Sequence, residues 1–104
     1  MKKLPLEFKK YGYNYKQIDR GYHSAIYEQS SEGVIHGYEV IEIEVLEAGE
    51  RFGKMYPERE NYPSSERWGS LGFTVANLDH AKEKAVEIEL KVLHRIEQKQ
   101  LQEA

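Results

Sequence analysis

Residues 38–46, YEVIEIEVL, show a period-two alternation of β-branched and charged side chains, clearest over 41–45. Ile41, Ile43 and Val45 share one parity. Glu42 and Glu44 share the other with Tyr38, Val40 and Leu46. Period-two alternation among β-branched residues predicts a strand with one dry face and one mostly wet face. No other segment commits so firmly to one element, so the rest of the chain must cover that strand's apolar side.

The chain before it reads as two more strands. Residues 6–18 alternate, with Tyr11, Tyr13 and Tyr15 on one face and Phe8, Lys10, Asn14, Lys16 and Ile18 on the other; Gly12 predicts a bulge or bend inside this strand. Arg20-Gly21 marks a turn, and a second strand covers about 22–29. Ser30-Ser31-Glu32-Gly33 is small, polar and glycine-ended, as a hairpin turn requires. Residues 50–70 show neither period, and a loop beyond about 12–15 residues is usually functional or disordered. Phe52, Met55, Tyr56, Tyr62 and Trp68 argue for order, pinned by aromatics against the sheet. LGFTVA at 71–76 reads as a fourth strand. Asn77 is a helix cap, with Asp79 in the first turn, and a helix runs from there to about residue 100. Leu78, Ala81, Ala85, Ile88, Val92 and Ile96 form its apolar stripe, widened by Val86, Leu90 and Leu93. The expected order is β-β-β-loop-β-α: one α+β domain over 1–104, a four-stranded antiparallel sheet with one long C-terminal helix packed on one face. The other sheet face is expected to stay exposed, and 1–5 and 101–104 to fray.

Composition narrows the functional classes. With 39% hydrophobic and 32% charged residues among 104, the chain suits a folded domain with a modest core. No run approaches the roughly 20 apolar residues of a membrane span, and MKK is followed by no apolar signal region. The chain has no cysteine, which excludes disulfides and thiolate metal sites. The expectation is a cytoplasmic protein away from the membrane, with no cofactor. The net charge of -3 conceals a split: the first 20 residues are basic and residues 21–53 acidic, which suits charge pairing across a sheet or a small basic patch on an acidic body.

Catalytic signatures are lacking. His80 and His94 stand about 21 Å apart along one helix, too far to share a metal. His23-Ser24 are strand neighbours facing opposite ways. Glu42 and Glu44 lie about 7 Å apart on one strand face, where alternation alone predicts two solvated glutamates. No phosphate loop, dinucleotide fingerprint or nucleophile elbow is present. A non-enzymatic binding module is the expectation.

Two surfaces could serve it. Tyr11, Tyr13 and Tyr15, flanked by Lys9, Lys10, Lys16 and Arg20, suggest a stacking platform for single-stranded DNA or RNA; the alternative is tyrosines packed in the core. Tyr56-Pro57 and Tyr62-Pro63, with Arg67 and Trp68, suggest rigid anchors for a protein partner; the alternative is a structural plug. The wide helix stripe adds a homodimer seam as a third contact.

The segment NYPSSERWG (61–69), followed by Gly72-Phe73-Thr74 and Leu78-Asp79-His80-Ala81, resembles small proteins of bacterial phages and mobile elements, as do the GYNY-to-AIYEQ region and YEVIEIEV. That resemblance implies a setting, in which small domains bind single-stranded DNA or block a host protein. The strand-strand-strand-strand-helix order also resembles the whirly, or transcription-coactivator, single-stranded-DNA-binding fold, in which paired subunits join through helices.

Overall fold

A computed structural model describes residues 1–103. In chain order its elements are β1 (Glu7–Lys10), β2 (Tyr13–Arg20), β3 (Ser24–Ser31), β4 (Val34–Glu42), β5 (Glu44–Leu46), β6 (Gly49–Arg51), β7 (Lys54–Tyr56), β8 (Arg59–Asn61), one 3-10 turn (Ser65–Arg67), β9 (Gly72–Val75) and α1 (Leu78–Glu103). The fold is α+β, with a large antiparallel sheet and one long C-terminal helix. The sheet has five strands rather than the expected four, in the order β1-β2-β3-β4-β9.

The extra strand comes from Tyr11-Gly12. Both residues have positive φ, 53° and 82°, which makes a two-residue turn of the primed kind that fits strand twist. The stretch 6–18 is therefore a hairpin, with Phe8 opposite Tyr15 and Lys10 opposite Tyr13. Glu32-Gly33 repeats the geometry between β3 and β4, and Phe52-Gly53 repeats it between β6 and β7. Of the bulge or bend expected at Gly12, the bend is what occurs, as a full turn, and the register shifts lie elsewhere, between Gln17 and Asp19 and between Gln29 and Ser30.

The organising strand also ends early. β4 stops at Glu42, and β5 leaves the large sheet to pair with β8. The aperiodic stretch thus contains three strands of three residues each, too short to show a period.

At its centre, β3 and β4, the sheet is dry on both faces. Val40 and Ile41 are neighbours pointing opposite ways, and both are 0% exposed. Ile26 and Val40 share a core cluster with Ala81, Ile88 and Val92 of α1. On the opposite side Tyr15, Ala25, Tyr27 and Ile41 cluster with Leu4, and Phe8, Ile43, Tyr62 and Trp68 pack against them. The expected exposed face is covered, because the chain around Tyr62 and Trp68 folds across it. Pro63 is fully buried in that cover.

The first residues are strapped down rather than loose. The Glu60 amide donates to the Lys2 carbonyl at 2.9 Å, and the Leu4 amide donates to the Glu60 carboxylate at 2.9 Å. At the other end, Leu101 to Glu103 are helical and exposed; Ala104 lies outside the described residues.

The helix starts where the sequence placed it: Asn77 Oδ1 accepts the His80 amide at 2.9 Å. Glu89 accepts the His23 amide at 2.7 Å and the Ser24 hydroxyl at 2.9 Å. Arg95 donates to both oxygens of Glu42, at 3.0 and 3.3 Å. Glu42 is thus buried and ion-paired rather than solvated, and Glu44 belongs to a different sheet. Val86, Leu90 and Leu93 stay 57%, 62% and 48% exposed, so they lie off the buried stripe. No helix is long and apolar enough to cross a membrane.

Candidate functional site

The two suspected surfaces meet at one pocket. A cavity of about 200 Å³ is lined by Lys10, Tyr11 and Tyr15 of the β1–β2 hairpin, Glu39 of β4, and Tyr62, Ser65 and Trp68 of the covering segment. The hairpin turn brings Lys10 and Tyr11 over the sheet. Trp68 is fixed from below: its Nε1–H donates to the Thr74 hydroxyl at 3.0 Å. Its ring lies against Gly72, where any Cβ would collide with the indole. Tyr62 stacks beside it, with ring centroids 6.2 Å apart and planes 24° apart.

Glu39 is the polar floor. The Tyr62 hydroxyl donates a hydrogen bond to its Oε2. Burial raises the Glu39 carboxyl above its ordinary pKa, opposed by the Tyr62 and Tyr15 hydroxyls and by the charge on Lys10. Burial also raises Tyr62, and its bond to Glu39 raises it further, so its phenol keeps the proton. The site therefore presents a partly desolvated carboxylate among aromatic rings, with one cation at its rim.

The tyrosines do not form one exposed row. Tyr11 occupies the turn and is 81% exposed, with the Lys10 ammonium 5.2 Å from its ring centroid. Tyr13 is partly exposed and meets His36 edge-on at 5.4 Å. Tyr15 is 5% exposed; it stacks on Phe8 at 4.8 Å and accepts a hydrogen bond from Gln29 at 2.9 Å. Lys9 and Lys16 are exposed on the sheet face opposite Tyr15, by alternation from the Phe8–Tyr15 pair. Arg20 is committed elsewhere: its guanidinium grips both oxygens of Glu60, whose side chain is only 5% exposed. Arg20 is thus removed from the recess, while Lys9 and Lys16 border Tyr15 only in a separate hollow beside β1 and β2.

The four residues proposed for a protein partner also divide. Tyr62 and Trp68 line the pocket, and Arg67 is exposed beside it in the 3-10 turn. Tyr56 lies on β7 near a second hollow, with Phe52, Pro57 and Leu46. The near-repeated Tyr-Pro units are therefore unlike: Pro63 is buried, and Tyr56-Pro57 is exposed. Sequence reasoning missed Glu39. Its signal was a charge on the same parity as Ile41 and Ile43, where a strand's dry side should carry none. Among the described residues no group of three metal-ligating side chains comes together.

The fold and pocket define a small α+β domain with an aromatic-lined, carboxylate-floored recess on the covered side of its sheet. No family model matches this chain, and neither a curated protein nor a solved structure matches it.

Proposed function

We propose that this protein is a non-enzymatic binding module that holds a segment of a partner protein at the rim between the β1–β2 turn and Trp68. The observation that carries this reading is the exposed Tyr11 ring. It sits at φ 53°, a conformation that bulky residues rarely adopt. Glu32 and Phe52 share that turn geometry, and what sets Tyr11 apart is that its ring borders the aromatic recess. Aromatic anchors around a recess are the usual energetic centre of protein recognition. The resemblance to phage and mobile-element proteins supports a host protein as that partner. Selection of a displayed random peptide library tests the reading. Peptides should enrich on the wild type and fail on Tyr11→Ala and Trp68→Leu; equal enrichment on all three would contradict it.

A second reading, single-stranded nucleic acid, draws on exposed Tyr11 and Tyr13 at the turn of the same hairpin and on Lys9 and Lys16, exposed on its other face. Fluorescence anisotropy at low salt tests it: binding should weaken steeply with salt and with Tyr13→Ala. The exposed Val86, Leu90 and Leu93 side chains are where a helix-mediated homodimer would form, and light scattering of wild type against Leu90→Lys reads that contact.

A further inference from the structure

We infer that the recess takes a methylated ammonium group, with Glu39 supplying the counter-charge and Tyr11, Tyr15, Tyr62 and Trp68 the walls. The inference rests on the binding-module reading and names the chemistry of the group that enters.

Four aromatic rings and one carboxylate converge on a single recess. Ring faces attract cations through their quadrupole, most strongly when water is removed, and aromatic cages are the known solution for ammonium groups too bulky to hydrogen-bond well. An anionic group is opposed by Glu39 itself. A neutral apolar group that pushed Lys10 aside would leave the partly desolvated Glu39 carboxylate without a counter-charge, which costs free energy in a low-dielectric site.

Lys10 bears on the same point. Its ammonium already rests 5.2 Å from the Tyr11 centroid, and its charge acts on Glu39. The recess thus holds a cation of the protein's own at its edge. An incoming ammonium must displace Lys10 outward, so Lys10 should weaken binding.

Trp68 is the chain's one tryptophan, so its Nε1–H resonance reports the site without ambiguity. Tetramethylammonium, choline and a trimethyllysine peptide are each titrated into the full chain. At least one of these cations should shift that resonance saturably. The uncharged isostere of choline, 3,3-dimethyl-1-butanol, should bind about tenfold more weakly than choline, the scale of a desolvated cation–π contact. Glu39→Gln should weaken the cation by a similar factor, and Lys10→Met should tighten it. Preference for the peptide over choline assigns the group to a modified protein; preference for choline assigns it to a small molecule or lipid headgroup. Equal binding of choline and its uncharged isostere by the wild type would overturn the inference, as would the lack of any saturable shift. Both comparisons need no variant to fold. Library peptides that bind while every ammonium fails would overturn the ligand assignment and leave the peptide-binding reading standing. Ammonium binding with no peptide enrichment would do the reverse.

Discussion

Glu39 and Glu60 are both carboxylates drawn away from water, and they respond oppositely to pH. Glu60 is held down to about pKa 2, first by the Arg20 guanidinium and further by the Leu4 amide and Lys3. Its contribution to stability is complete above the ordinary value of 4.5 and is lost as pH falls toward about 2. Glu39 is raised by burial, so its contribution is greatest below 4.5 and declines as pH rises through the folded value. Glu60→Gln should therefore lower urea-melt stability at neutral pH by about 1–2 kcal/mol, a figure reduced for Arg20's partial exposure. It should also flatten the loss below pH 4.5. Glu39→Gln should remove a fall in stability above 4.5 instead. Tyr11 offers a third test at this scale. Asparagine tolerates left-handed backbone better than tyrosine. Tyr11→Asn should raise stability by about 0.5–1 kcal/mol in the same melts, because Asn-Gly is the favoured pair for a primed turn, while abolishing peptide enrichment through loss of the ring. Unchanged stability would contradict that turn preference.

At the scale of elements, Trp68 and β9 depend on each other. A methyl group at Gly72 would occupy the space of the indole. Gly72→Ala should therefore expel the ring, red-shift its emission and lower stability by about 1–3 kcal/mol, as overpacking does; an unshifted emission would contradict the clamp. The long helix was legible because its signals agree: Asn77 caps it, Asp79 follows, and the apolar residues recur at three and four. The β1–β2 hairpin was not, because Tyr-Gly departs from the Asn-Gly and Asp-Gly signals of a primed turn, and alternation continues unbroken across it. β6 to β8 were hidden by length, since a three-residue strand cannot establish a period. The pocket was half legible. Its aromatic residues stood out by composition, but which of them converge depends on the turn at Gly12 and the fold-back at Trp68. Glu39 passed unnoticed among the many glutamates of residues 21–53.

Across the whole molecule, the sheet carries different covers on its two sides. The helix-side cluster is aliphatic, built on Ile26, Val40, Ala81, Ile88 and Val92. The other side is aromatic and interlocked, with Phe8 meeting Tyr15, Tyr27 and Tyr62 at centroid distances of 4.8–5.5 Å. Aromatic packing of that kind leaves rings at its margin, and the recess opens where the first hairpin and the Trp68 turn meet over Glu39. The central claim is that these three distant parts of the chain act as one site. Amide and indole chemical-shift mapping during a tetramethylammonium titration tests it most directly. Residues 10–15, Glu39 and residues 62–68 should move together along a single saturation curve. Shifts confined to one of those segments, or three segments saturating at different concentrations, would contradict it.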